Sequence, residues 1–206
     1  VVVGQGRGDA GPYSLAAGPD GALWLTELNA DRIGRVTVDG SVTEFPIGLT
    51  GAYPSALVAG PDDALWFTLN QANAVGRLTV AGETTIHPLP TEAAAPVGIT
   101  AGPDGALWFV EIAAGQVGRV TVDGAVTEFP LPDRACRPHA IAAATDRLWL
   151  TEWGAGRLAA ITPDGRVEEH ELPGPPNPEP HGLTVGPDGA VHAALEIGAI
   201  ARWAAP

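Results

Sequence analysis

The chain has 206 residues, with Gly 27, Pro 20 and 45% hydrophobic residues, so it is rich in turns yet has material for a core. Its formal charge is -13, and all 11 basic residues are arginine, which argues against nucleic acid or an anionic membrane as the partner. One cysteine, Cys136, excludes an internal disulfide and a zinc site built on several thiolates. No apolar run approaches the ~18 residues needed to span a bilayer. The start, Val1-Val2-Val3-Gly4, carries no signal-peptide pattern, and a cytoplasmic location is the expectation.

From Gly18 onward the sequence repeats. Gly18-Pro19-Asp20-Gly21-Ala22-Leu23-Trp24 returns at 60–66 and at 102–108, more weakly at 144–149, and last as Gly186-Pro187-Asp188-Gly189-Ala190-Val191-His192. The anchors at 24, 66, 108, 149 and 192 are spaced 42, 42, 41 and 43. A second element, Ile33-Gly34-Arg35-Val36, recurs at 75–78 and 117–120, and a Thr-Glu-Phe-Pro exit lies at 43–46 and 127–130.

Each repeat reads as four short strands. An apolar strand runs into a Pro-Asp-Gly turn, then a Leu-Trp strand, then an alternating strand such as Arg119-Val120-Thr121-Val122. The Asp123-Gly124 hairpin turn leads to Val126-Thr127-Glu128-Phe129. No segment has sustained helical periodicity. Four-stranded units of this length describe an all-β fold, a β-propeller of five blades occupying residues 1–206 as a single domain. The last repeat, ending in Ala199 to Trp203, lacks a fourth strand, and Val1-Val2-Val3 is expected to supply it and close the ring. The competing reading is part of a larger ring. The chain is expected to be a monomer.

Eleven residues before each Trp anchor, Tyr13, Ser55 and Val97 follow a proline, as do His139 and His181 in the last two repeats. Varied residues in a constant frame point to function, and these positions should line the central channel. Three residues after each anchor lie Glu27, Leu69, Glu111, Glu152 and Leu195, with Glu196 displaced by one. Glu27 and Glu111 are read as lining a wet channel and bonding nearby backbone. Glu196 is read as functional, because Glu179-Pro180-His181-Gly182 shares its blade and His139 sits at the matching place one blade earlier. Two carboxylates with retained waters suit Mg²⁺, and an imidazole beside them can act as a base near neutral pH.

Of the other histidines, His87 and His170 are expected on solvated outer strands, and His192 takes a Trp anchor place as packing. Trp24, Trp66, Trp108, Trp149 and Trp203 read as inter-blade core. Trp153 departs from that register and could face a ligand. Cys136 has no local base and reads as incidental.

Several strings resemble the virginiamycin B lyase (streptogramin B lyase) family: Ala-Leu-Trp-Phe-Val-Glu-Ile at 106–112, Arg-Pro-His-Ala-Ile at 137–141, Thr-Glu-Trp-Gly-Ala at 151–155 and Glu-Pro-His-Gly at 179–182. The likeness runs from about Pro12 to Trp203. It implies a Mg²⁺-dependent lyase that opens cyclic depsipeptides at their ester by elimination, inactivating the antibiotic. Carried over by motif, His181 is the general base, Glu179 and Glu196 are the metal ligands, and His139 positions the substrate. The family's ring has seven blades, and the five repeats here resemble its last five. Two rival functions are a lactone hydrolase on a metal propeller, resembling gluconolactonases, and a non-catalytic ligand-binding propeller.

Overall fold

Nineteen strands and no helix make up residues 9–172, 176 and 178–204, which a computed structural model describes. They form five antiparallel sheets, each a simple meander. The first holds β1 (Pro12–Ala17), β2 (Leu23–Glu27), β3 (Arg32–Val36) and β4 (Val42–Pro46). The second holds β5 (Pro54–Ala59), β6 (Ala64–Leu69), β7 (Ala74–Thr79) and β8 (Thr84–Pro88). The third holds β9 (Pro96–Ala101), β10 (Leu107–Glu111), β11 (Gln116–Val120) and β12 (Val126–Pro130). The fourth holds β13 (Pro138–Ala143), β14 (Leu148–Glu152), β15 (Arg157–Ile161) and β16 (Val167–Glu171). The fifth holds β17 (Pro180–Val185), β18 (Val191–Leu195) and β19 (Ala199–Trp203).

The repeated motif has a physical reason in each of the first three sheets. The turn aspartate accepts a hydrogen bond from the indole N–H of the Trp four residues on, at 2.9 Å for Asp20, Asp62 and Asp104. Its second oxygen receives Nε of Arg35, Arg77 or Arg119 on the third strand, at 2.6 to 2.7 Å. Burial pushes these carboxyls up, but the Trp and Arg hydrogen bonds outweigh it and hold them below their ordinary range. The glycine of the second element faces a bulky side chain across the strand pair, Leu25 in the first sheet and a phenylalanine in the next two. A Cβ at Gly76 or Gly118 would overlap the ring of Phe67 or Phe109.

Neighbouring sheets meet through their first and second strands, with Trp24, Trp66 and Trp108 wholly buried. Each Trp also stacks on a fourth-strand ring: Phe45, His87, Phe129 and His170 meet Trp24, Trp66, Trp108 and Trp149 at 5.2 to 5.4 Å. His87 and His170 are therefore not the solvated side chains that the sequence suggested. They are half-buried and take the place of phenylalanine, and burial, with the Arg77 charge, pushes His87 below its ordinary value.

The two end sheets differ from the inner ones. Leu15 on β1 is 63% exposed, whereas its equivalents Leu57, Ile99 and Ile141 are buried. Ile200 on β19 is 76% exposed, whereas its equivalents Ile33, Val75, Val117 and Leu158 are fully buried. Among the described residues the sheets thus form an open arc rather than the closed five-bladed ring expected. The proposed closing strand, Val1-Val2-Val3, lies outside the described residues.

Candidate functional site

The first strand of every sheet carries a bulge. Its pairing with the second strand slips between the leading proline and the residue three further on, as between Pro138 and Ile141 or Pro180 and Leu183. A bulge re-aims the side chain it contains. The bulged residues are Tyr13, Ser55, Val97, His139 and His181. Four of them, Tyr13, Val97, His139 and His181, line one cleft of about 360 Å³, as the repeat count predicted. Ser55 instead is buried, and its hydroxyl donates to the Tyr53 carbonyl.

The residue before each proline adopts a left-handed backbone: Gly11 (φ 62), Tyr53 (φ 55), Ala95 (φ 53), Arg137 (φ 50) and Glu179 (φ 48). For a residue with a Cβ this conformation costs about 1–2 kcal/mol. Glu179 and Arg137 are thus held by the loop geometry, not by their own preference.

Buried threonines stitch adjacent sheets at this level. Thr151 accepts from the N–H of Ala140, beside the first histidine, and donates to the carbonyl of His181 at 3.0 Å. Thr26 and Thr68 make the same pair of bonds between earlier sheets. The result brings the rings of His139 and His181 to 3.7 Å between centroids, with planes tilted by 36°. His139 is half-buried, and burial with the neighbouring His181 pushes it down to about 4. It is neutral near pH 7 and serves as a polar, uncharged neighbour. His181 is exposed at the cleft.

The backbones of the two glutamates expected to hold a metal are joined at the rim. The N–H of Glu196 donates to the Glu179 carbonyl at 3.2 Å. The Trp153 indole N–H donates to Oε1 of Glu196 at 3.1 Å, and the Arg137 guanidinium lies 4.5 Å from the centre of a Trp153 ring. Strand register explains the displacement of Glu196. Pro180 pairs with Leu195 as Pro138 pairs with Glu152, so Glu196 is equivalent to Trp153, one place beyond the strand. It is exposed there, in contrast to the buried Glu27, Glu111 and Glu152.

Among the described residues no group of three or more His, Cys, Asp or Glu forms a metal cage. Two carboxylates on segments joined by a backbone hydrogen bond still fit Mg²⁺, which keeps several waters and takes one or two protein carboxylates. The donor set is oxygen-only, as a hard cation requires.

The other carboxylates correct the sequence reading. Glu27 and Glu111 do not line a wet channel; both are buried. Glu111 accepts from the side-chain amide of Gln116 at 2.6 Å, and burial raises it to about 7. Glu152 pairs with Arg157. Cys136 is buried, and burial, with the nearby Glu152 charge, pushes its thiol up, which leaves it inert.

These features define a repeat protein of the propeller type, with the touching histidines and the exposed Glu196 on its last two sheets. The family model for virginiamycin B lyases matches residues 5–203, and the chain belongs to that family. Virginiamycin B lyases of Mycolicibacterium smegmatis and Streptomyces coelicolor match locally, 54% identical over 39 residues and 59% over 41, about one repeat. Each match covers 19% of this chain and 14% of the relative. A streptogramin B lyase structure superposes with a TM-score of 0.92 at 47% identity, covering 96% of this chain and 66% of that one. A catalytically inactive His-to-Ala variant of virginiamycin B lyase from Staphylococcus aureus, solved with quinupristin, superposes with a TM-score of 0.92 at 43% identity, covering 96% and 67%. The chain therefore spans about two thirds of the solved lyase chains. A gluconolactonase from Xanthomonas campestris, 18% identical with a TM-score of 0.69, shares the fold alone.

Proposed function

We propose that the chain is a lyase that opens streptogramin B-type cyclic depsipeptides by elimination at the ester. The observation that carries this reading is the pairing of His139 and His181 at 3.7 Å beside the joined Glu179 and Glu196 segments. Family membership and the quinupristin complex of the S. aureus relative support it.

Glu179 and Glu196 would hold Mg²⁺, which when bound supplies Lewis-acid polarisation of the substrate carbonyl. His181, exposed on its bulge, takes the proton α to that carbonyl. The C–H electron pair becomes a new C=C bond, and the β-carbon–oxygen bond breaks with its pair leaving on the carboxylate. No water is added, and the open chain keeps the mass of the ring. His139, neutral at this pH, orients the substrate by hydrogen bonding without adding charge near the base. The channel needs no nucleophile, and Cys136 is too deeply buried to serve as one.

The test is mass spectrometry of a streptogramin B incubated with the protein, with Mg²⁺ or with EDTA. The expected product is linear and of unchanged mass, formed with metal and absent for His181→Ala. A gain of one water would replace elimination by the lactone-hydrolase reading. Absence of any product would leave a binding propeller.

A further inference from the structure

We propose that Trp153, backed by Arg137, is a positioning residue for Glu196; this rests on the reading of Glu196 as a metal ligand. Glu196 begins an exposed turn that includes Gly198, with a positive φ of 82°. A glutamate on such a turn samples several rotamers, and ordering it on binding a cation costs free energy. Trp153 removes that freedom in advance. Its indole N–H engages Oε1 of Glu196 at 3.1 Å from the neighbouring sheet.

The indole is itself fixed. Arg137 covers its face at 4.5 Å, and Arg137 is in turn held by its left-handed backbone and by contact with Gly154. A Cβ at Gly154 would come within 3.0 to 3.1 Å of the Arg137 side chain, so this glycine lets the guanidinium lie over the ring. The backbone of Gly154 closes the loop by donating to the Cys136 carbonyl at 2.9 Å.

The position is set apart within the repeat. Its equivalents in the first three sheets are Leu28, Asn70 and Ile112. Asn70 also reaches the next sheet, where its amide lies 3.4 Å from the Pro96 carbonyl. The place therefore addresses the adjacent blade by construction. Only in the fourth sheet does it carry a rigid aromatic donor, and only there does the next sheet offer a carboxylate in return. Groups that hydrogen-bond a metal's ligand orient it, and removing them costs roughly 10–100-fold in metal affinity or activity.

The experiment is calorimetric titration of the full chain with Mg²⁺ alone. Trp153→Phe keeps the ring over which Arg137 lies and removes the N–H. It is expected to weaken Mg²⁺ binding about tenfold while leaving the melting temperature of the metal-free protein unchanged. Glu196→Gln should abolish binding, and Trp153→Phe on top of it should add nothing. A second readout needs no metal: the indole ¹H–¹⁵N resonance that vanishes in Trp153→Phe should shift in Glu196→Ala. Unchanged affinity in Trp153→Phe beside lost affinity in Glu196→Gln would overturn the positioning role and leave the metal reading standing. Unchanged affinity in Glu196→Gln would overturn both.

Discussion

Sheets three and four carry the same buried glutamate at the same place and neutralise it differently. Glu152 closes β14 opposite Arg157, whose guanidinium also bonds Glu169 at 2.8 Å. Glu111 closes β10 opposite Gln116, an uncharged amide, with the charge of Glu128 nearby. Burial pushes both carboxyls up, but in sheet four Arg157 pulls against it, and in sheet three the amide is a weaker answer, so Glu111 rises to about 7. Burial raises both carboxyls, and the partner across the strand pair is the largest influence that opposes it in each sheet.

The sharpest way to break this contrast is Arg157→Ala. It strands Glu152 with no cation, and a loss of about 3–5 kcal/mol in urea-monitored stability is expected. The next effect is a pH slope. Glu111 ionises near its ordinary 4.5 when unfolded and near 7 when folded, so the folded state holds its proton longer. Its contribution is fully present below pH 4.5 and is lost as pH rises through 7, about 3 kcal/mol in all. His139 tilts the curve the other way, because its folded value near 4 lies below 6.5 and stability falls with acid there. The difference between wild type and Glu111→Gln across pH 4 to 8 isolates the glutamate, and an absent difference would refute its raised pKa. The smallest change is Gln116→Arg, which gives sheet three the partner of sheet four. It should add about 1.5 kcal/mol at pH 8 and almost nothing at pH 4, in the same urea titrations.

The sequence makes the repeat legible because its turns are punctuated by Pro-Asp-Gly and its strands by tryptophan. Spacing alone therefore located the sheets and four of the five residues expected at the cleft, and His139 and His181 prove to touch. The partners of Glu111 and Glu152 were not legible, because they lie across a strand pair whose register no single residue announces. His87 and His170 were misplaced for a related reason: a histidine standing where a sister repeat has phenylalanine keeps the aromatic stack, and polarity misled. The left-handed backbones at Tyr53, Ala95, Arg137 and Glu179 were hidden because a residue before proline is ordinarily driven to extended conformations. Closure was not legible, because a repeat count fixes the number of sheets and not how the first and last of them meet.

The row Gly11, Tyr53, Ala95, Arg137 and Glu179 shows one backbone recipe cast five times with five different side chains. Where the loop alone imposes the conformation, the residue becomes interchangeable, much as bits are exchanged in a common chuck. Glycine already occupies the first place without disturbing the strand that follows. New chemistry can therefore be installed at this rim one position at a time, leaving the stacked tryptophans and the threonine stitches beneath it untouched.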